Sequence, residues 1–349
     1  MQTITRREYL RLAALASGGL AAGAIAGAAA SALASTVDRL ETIDMKDHYD
    51  ALIVGGGPAG LSAALSLGRM LRTALVCDDD RPRNAPSTHL NNFASRDGIH
   101  PAEWRKEARR DLEKYRTIAF KKDSVASLER LDGGQFRAVF ASGDSAVFRK
   151  VILADGIIDQ LPEIPGFREL WGRSIFHCPY CHGFEVQGTA LGLVGNGKSA
   201  LHMAPLCFGL SKDLIIFTNG RSEFTEEQAA AFGGKGVRIV EDRIAALQIE
   251  EAALTAVVLE DGQKIGRTGL FFARSGPIQT KSDLGERLGC EKTEEGFYKV
   301  EEFGRTTVPG VFAAGDNMSR RQSVLHACGM GAVAASTVVS ELLNEELND

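Results

Sequence analysis

A glycine-rich turn near residue 55 constrains the fold more than any other feature of the sequence. The apolar run Ala51-Leu52-Ile53-Val54 has the character of a buried parallel strand, and residues 55–60 (Gly-Gly-Gly-Pro-Ala-Gly) follow it and open an amphipathic helix. In this spacing Gly55 allows the tight turn, Gly57 lets a diphosphate approach the backbone, and Gly60 lets helix and strand pack closely. The pattern predicts a dinucleotide at the helix N-terminus.

A carboxylate follows the next predicted strand. This strand, from Thr73 to Cys77, ends at Asp78, about 20 residues after Gly55. An acidic side chain at this place can hold the two ribose hydroxyls of a dinucleotide. Strand, helix and carboxylate stand in the order of a Rossmann-type unit, and a glycine-rich turn in an unrelated α/β protein is the weaker alternative.

The same pattern returns in the middle of the chain. Residues 189–194 read as a strand, and residues 195–200 (Gly-Asn-Gly-Lys-Ser-Ala) match the fingerprint with alanine in the last position. A second nucleotide-binding unit is therefore predicted, with candidate NAD(P) contacts at Gly195, Gly197 and Ala200.

This second unit lacks the residues that usually hold a nicotinamide nucleotide. The next strand, residues 213–217, ends without a carboxylate for an NAD ribose, and Arg221 alone is there for an NADP phosphate. Whether NADPH or NADH binds therefore stays open.

A pair of cysteines lies shortly before the second fingerprint, in Cys178-Pro179-Tyr180-Cys181-His182. Two cysteines separated by two residues can cycle between dithiol and disulfide near neutral pH. The pair is therefore predicted to be a redox centre. Two alternatives are weaker: the pattern Cys-x-x-Cys-His also attaches c-type haem, and a zinc site lacks a second ligand pair at suitable spacing.

The order of motifs resembles that of a known family. After the two fingerprints and the cysteine pair, residues 310–316 (Gly-Val-Phe-Ala-Ala-Gly-Asp) read as a strand that runs into Gly-Asp, and a long helix follows. From about Tyr49 to Leu343 the chain resembles the low-molecular-weight thioredoxin reductase-like family of FAD-dependent disulfide oxidoreductases.

The resemblance implies a fold class and a division into domains. The fold is α/β, with two Rossmann-like domains of three ββα layers, the second inserted in the first, as in pyridine nucleotide-disulfide oxidoreductases. The FAD-binding domain would comprise residues 49–162 and 275–345, and the central NAD(P)-binding-like domain, which carries the cysteine pair, residues 163–274. A homodimer is also implied.

The resemblance further implies FAD as cofactor and assigns roles to single residues. The residues implied to bind FAD are Gly55, Gly57, Pro58, Ala59, Gly60, Asp78, Gly315, Asp316, Gln322 and Ser323. By analogy Cys181 would face the flavin and Cys178 the substrate, which would be a small dithiol or disulfide or a thioredoxin-like protein.

The sequence departs from the family pattern in three places. His182 replaces the acidic residue after the second cysteine; a histidine could also transfer the proton and stabilise a thiolate, so it is the third candidate catalytic residue. The basic cluster that recognises NADPH is missing. Ala154-Asp155-Gly156 replaces Ala-Thr-Gly, and the sequence offers no interpretation of Asp155. The stretch around the cysteines, together with residues 81–84 and 217–220, is similar to a branch that includes fungal and bacterial dithiol oxidases.

The first residues read as a targeting segment. Thr5-Arg6-Arg7-Glu8-Tyr9-Leu10-Arg11 precedes an uncharged Ala/Gly-rich run, and Ala32-Leu33-Ala34 offers a cleavage site. The segment resembles a twin-arginine export signal over residues 1–34, followed by a linker over 35–48. It predicts export across the cytoplasmic membrane. An uncleaved anchor and a translation start at Met45, which would leave the protein in the cytoplasm, are the alternatives.

Composition narrows the function further. The net charge of −5 over 349 residues argues against nucleic-acid binding.

We expect an FAD-dependent thiol–disulfide oxidoreductase that acts as a dithiol oxidase with oxygen as acceptor. The alternatives are an NADPH-dependent thioredoxin reductase and an exported c-type haem electron-transfer protein.

Overall fold

The computed structural model describes residues 48–348. The elements of this part of the chain, in order, are β1 (His48–Val54), α1 (Pro58–Arg69), β2 (Ala74–Cys77), α2 (Pro101–Leu112), β3 (Ile118–Lys121), β4 (Val125–Arg130), β5 (Phe136–Phe140), β6 (Ser145–Leu153), β7 (Ile157–Ile158), α3 (Phe167–Leu170), β8 (Ile175–Phe176), α4 (Pro179–His182), β9 (Leu191–Val194), α5 (Gly197–Leu210), β10 (Leu214–Phe217), α6 (Glu226–Gly233), β11 (Arg238–Val240), β12 (Ile244–Glu250), β13 (Ala253–Leu259), β14 (Lys264–Gly266), β15 (Gly269–Phe272), β16 (Gln279–Thr280), α7 (Leu284–Arg287), β17 (Val311–Ala313) and α8 (Val324–Asn348).

The first sheet determines the position of the first fingerprint. Its strand order is β3-β2-β1-β6-β5-β4, and β17 also pairs with β6. Strands β1, β2 and β6 are parallel, with Val54 opposite both Cys77 and Leu153. Because parallel strands bring their carboxyl ends to one edge, the residues that follow β1, β2 and β6 meet there, which is where such sheets bind ligands.

A second set of strands carries the second fingerprint. Strands β11-β10-β9-β15-β8 form a parallel sheet, and β12-β13-β14 form an antiparallel meander. The short strands β7 and β16 pair where the chain leaves the first sheet and returns to it. The first sheet thus uses strands from residues 48–153 and 311–313, and the second uses strands from 175–272. The domain bounds at 162/163 and 274/275 stay a prediction.

The last helix, α8, packs on the fingerprint helix α1. Ala334, Ala335 and Val338 of α8 are buried in one core with Ala63 and Leu67 of α1. Within the described residues α8 is long and apolar enough to cross a membrane by length and composition, but these contacts make it a core helix.

The closest approach of the two helices requires a glycine. A Cβ added at Gly331 would overlap the carbonyl oxygen of Ala59, whereas one at Gly329 would meet nothing within 4 Å. We therefore expect Gly331→Ala to lower the free energy of unfolding by about 1–3 kcal/mol or more through overpacking. The matched change Gly329→Ala, on the exposed side of the same helix, should raise it by about 0.5–1 kcal/mol. Urea unfolding measures both, and equal effects of the two substitutions would contradict this packing.

Candidate active site

A cavity of about 900 Å³ lies at the carboxyl edge of the first sheet. Its size suits a large organic cofactor. The residues that the sequence predicts for the site and that line this cavity are Gly55, Gly57, Pro58, Ala59, Asp78, Cys181, His182, Gly315, Asp316, Gln322 and Ser323. The redox pair and the first fingerprint therefore share one cavity.

The first fingerprint is shaped to receive a diphosphate. A Cβ at Gly57 would meet nothing within 4 Å, so the backbone there is open to the cavity. Gly55 has a φ of 102°, and a Cβ on it would lie 2.5 Å from the carbonyl oxygen of Ala154. Gly60 does not line the cavity; a Cβ there would overlap the carbonyl of Gly55. Gly55 thus allows the turn, Gly57 leaves the backbone open to the cavity, and Gly60 allows close packing.

Two arginines orient the predicted ribose carboxylate. Oδ2 of Asp78 accepts hydrogen bonds from Arg109 at 2.6 Å and from Arg105 at 3.0 Å. Both arginines come from α2, and Asp78 is buried. Because Oδ1 has no partner within the described residues, it remains free to accept from a ribose hydroxyl.

A third arginine, which the sequence did not single out as a site residue, joins three segments around the cavity. Arg83 donates to both carboxylate oxygens of Asp159 at 2.5 and 2.8 Å, and to Asp316 and Gln322 at 2.8 Å each. Burial opposes its charge, but the hydrogen bond that Arg83 donates to Asp159 and the charges of Asp316 and Asp159 raise the pKa of Arg83 above its ordinary value. Arg83 therefore fixes the two side chains that the resemblance assigns to the ribitol and the flavin ring.

The unexplained aspartate of the sequence, Asp155, lies under the fingerprint turn. It accepts hydrogen bonds from the Ser282 hydroxyl at 2.6 Å, the Ser282 amide at 3.1 Å and Asn317 Nδ2 at 2.9 Å. Burial raises the pKa of its carboxyl, and these hydrogen bonds oppose the rise. Asp155 thus ties the end of β6 to the segments that follow β16 and β17.

The redox pair forms a disulfide at the start of α4, with the Cα atoms of Cys178 and Cys181 5.3 Å apart. Cys178 is the N-cap of the helix, and its Sγ accepts a hydrogen bond from the Cys181 amide at 3.1 Å. Cys181 lines the cavity, whereas Cys178 does not. The disulfide therefore borders the cavity through Cys181.

His182, the last residue of α4, lies flat against Phe176, with ring centroids 4.4 Å apart and planes at 13°. Burial, followed by the charge of His89, lowers the pKa of His182 to about 4. Burial and then the Arg83 charge likewise lower the pKa of His177 to about 3. At pH 7 His182 is therefore neutral: it can accept a proton, but it offers no positive charge to a thiolate.

The second fingerprint lies apart from this cavity, and side chains of its own unit lie against its turn. None of Gly195, Gly197, Ala200 and Arg221 lines the cavity. Oδ1 of Asn196 accepts from the amides of Gly197 and Glu223 at 2.9 Å each, and its Nδ2 donates to the Arg221 carbonyl at 2.9 Å. A Cβ on Gly197 would overlap the Glu223 carboxylate.

Comparison with known proteins identifies the family. Residues 49–331 match the family model of the pyridine nucleotide-disulphide oxidoreductases, and the chain belongs to this family. It is 35% identical over 309 residues to the thioredoxin reductase aclD of Aspergillus oryzae, which covers 85% of this chain and 98% of the relative.

Two solved structures are also similar. A putative thioredoxin reductase TrxB from Bacillus anthracis has 30% identity and a TM-score of 0.81 over 85% of this chain and 99% of that one. An oxidoreductase from Agrobacterium tumefaciens has 35% identity and a TM-score of 0.78 over the same shares. The predicted family and fold class are confirmed, and the protein is an FAD-dependent oxidoreductase that acts on sulfur groups.

Arg83 should be required for tight binding of FAD. In Arg83→Gln the partly buried carboxylates of Asp159 and Asp316 lose their shared cation, and two like charges then remain beside the cavity. We expect the affinity for FAD to fall at least about tenfold, which corresponds to about 1.4 kcal/mol. Titration of the apoprotein with FAD, followed by flavin fluorescence, measures it. Arg137→Gln, which removes an exposed pair with Glu129, is the control, and equal affinities of both variants would refute the role.

Proposed function

We propose that the protein is a dithiol oxidase, which oxidises a dithiol to a disulfide through Cys178 and Cys181 and passes the two electrons to oxygen. The observation that carries this proposal is the acidic side chain at the second fingerprint, where the exposed Glu223 carboxylate lies against Gly197. An enzyme that takes its electrons from a dithiol has no need of a nicotinamide nucleotide at this place.

Charge and hydrogen bonding both oppose a nucleotide there. The N-terminus of a helix in such a unit offers its amides to a diphosphate. Here the side chain of Asn196 already accepts from the Gly197 amide, and a diphosphate would be brought beside a carboxylate. The Arg221 carbonyl is bound in the same turn, but its side chain is exposed. The contrast with the open backbone at Gly57 supports one functional dinucleotide site rather than two.

The chemistry uses the two cysteines in turn. A thiolate of the substrate attacks Sγ of Cys178, the disulfide opens, and Cys181 leaves as the thiolate on the cavity side. The second substrate thiolate then attacks the mixed disulfide, which releases the oxidised product and the Cys178 thiolate. When bound, FAD supplies a two-electron acceptor that oxygen regenerates, so that one peroxide forms for each disulfide. His182 accepts a proton from the thiols that enter the exchange.

The partner is a dithiol, either small or carried by a thioredoxin-like protein. Tyr180 and Phe184, on either side of Cys181, are 72% and 79% exposed and offer apolar contact beside the disulfide. A homodimer, carried over from the family, belongs to the same proposal, and sedimentation would measure it.

Anaerobic reduction tests the direction of electron flow. Mixed in a stopped-flow instrument with dithiothreitol, NADPH or NADH, the holoenzyme should lose its visible flavin absorbance with the dithiol alone. Admission of oxygen should then yield one peroxide per disulfide formed. Cys178→Ser should abolish the bleaching, whereas Cys328→Ser, a change to a free cysteine outside α4, should not. Fast bleaching by NADPH would overturn the proposal.

The second candidate is an NADPH-dependent thioredoxin reductase, and the name of the Aspergillus oryzae relative favours it. In this case Gly195, Gly197 and Ala200 would cradle the nucleotide after Glu223 moves away. Turnover of a thioredoxin with NADPH distinguishes the two candidates.

Export is part of the proposal, although the predicted signal lies outside the described residues. An exported enzyme leaves the cytoplasmic NADPH pool, which agrees with a dithiol as electron source. Changing Arg6 and Arg7 together to lysine should retain the protein in the cytoplasm, because the export pattern requires both arginines. Arg11→Lys, which still fits the pattern, is the control. Cell fractionation measures both, and normal export of the double variant would refute the assignment.

A further inference from the structure

We infer that Ser87 is a positioning residue that holds His182 in its Nε2–H tautomer, so that Nδ1 is the atom that accepts the proton during thiol–disulfide exchange. The inference rests on the proposed exchange at Cys178 and Cys181, and it adds the atom that acts and the residue that selects it.

The hydrogen bonds of Ser87 determine which nitrogen of His182 carries the hydrogen. Ser87 is buried, and its Oγ lies 2.8 Å from the carbonyl oxygen of His89 and 3.1 Å from Nε2 of His182. A carbonyl oxygen only accepts, so the single hydroxyl hydrogen of Ser87 goes to His89. Oγ is then left to accept from Nε2, which must carry the ring hydrogen.

The other nitrogen is therefore a base. In the neutral ring Nδ1 holds a lone pair, and this atom is buried without a hydrogen-bond partner among the described residues. Leaving a buried acceptor unpaired is unfavourable, and a role in redox or acid–base chemistry is one explanation for such an atom in a native structure. When the disulfide opens, the negative charge that forms on the neighbouring Cys181 favours protonation of this ring.

The packing of the His182 ring permits two orientations, and Ser87 favours one of them. His182 lies almost parallel to the ring of Phe176, and a flip of 180° would keep this stacking while exchanging the two edges of the imidazole. The flipped ring would lose the hydrogen bond that Oγ accepts from Nε2–H. Ser87 thus selects one of two orientations that packing alone does not distinguish.

The loop that carries Ser87 is itself fixed to the redox helix α4. Nδ2 of Asn91 donates to the carbonyl of Cys181 at 2.8 Å and to Oε1 of Glu185 at 3.1 Å. At the other end of the loop, Pro86 packs so closely on Gly172 that a Cβ there would lie 2.8 Å from its carbonyl carbon. The distance from Ser87 to the ring is therefore set by contacts on both sides.

The titratable groups around His182 are few. His89 faces it from the same loop, and His177 interacts with it from the end of β8. Glu185 lies beyond Asn91, on the segment that follows α4. These three groups can therefore also contribute to a change in the pH profile when Ser87 is substituted.

Single-turnover reduction of the FAD holoenzyme by dithiothreitol, without oxygen and from pH 4 to 9, tests the inference. We expect His182→Ala to slow reduction by about 100-fold, the lower end of general-base effects, and Ser87→Ala to slow it by about tenfold with altered pH dependence. Ser87→Thr keeps the hydroxyl and should restore most of the rate. Ser336→Ala, which removes the hydroxyl of an exposed serine on α8, is the matched control and should react like the wild type.

The double variant separates positioning from a structural effect. If Ser87 acts through His182, Ser87→Ala in the His182→Ala background should cause no further loss. A further tenfold loss there, or a wild-type rate and pH profile in Ser87→Ala alone, would overturn the inference. Nitrogen-15 NMR of labelled histidine gives a readout besides activity: His182 should show its hydrogen on Nε2 in the wild type and lose this preference in Ser87→Ala, and a hydrogen on Nδ1 in the wild type would refute it.

The reduction experiments distinguish failure of the proposed function from failure of this inference. If dithiothreitol did not reduce even the wild type, exchange at the cysteine pair and the inference that rests on it would both be wrong. If NADPH reduced the enzyme as well, the dithiol oxidase would be wrong, but the effects of Ser87 on exchange with the dithiol would still decide the tautomer.

Discussion

One partly buried cation joins the walls of the cofactor cavity. Arg83 binds Asp159, Asp316 and Gln322, which stand on segments far apart in the sequence, and without it two carboxylates would lie close together with no cation between them. The same contacts set the positions of the side chains nearest the predicted flavin site. The walls of the cavity thus depend on electrostatic pairing, whereas its floor, under Gly55, depends on backbone packing.

The two glycine fingerprints share a local architecture but have different neighbours. Both follow a buried parallel strand, and both begin a helix of more than ten residues. At Gly57 the backbone is open to the cavity, while at Gly197 a carboxylate from the next turn occupies the corresponding space. The second unit has kept the architecture of a nucleotide-binding fold, and its turn is satisfied by the chain itself through Asn196.

Features of the sequence were sufficient for the fold class, and together with the family resemblance they named eleven residues that line the cavity. The requirement for glycine at residues 55 and 60 follows from the backbone alone, and the order of motifs gave the family. The partners of His182 and Asp316 could not be predicted, because Ser87 and Arg83 lie 95 and 233 residues away and only tertiary packing brings them close. The neutral state of His182 was missed for the same reason, since burial causes it.

The packing of α8 on the fingerprint helix has a consequence for biosynthesis. Gly331 must lie against the carbonyl of Ala59, and Gly315 against its side chain, before the wall of the cavity is complete. A growing chain therefore exposes its first glycine turn early but cannot enclose a cofactor until almost the whole polypeptide has left the ribosome. We therefore expect the flavin to be acquired late, once α8 has packed on α1.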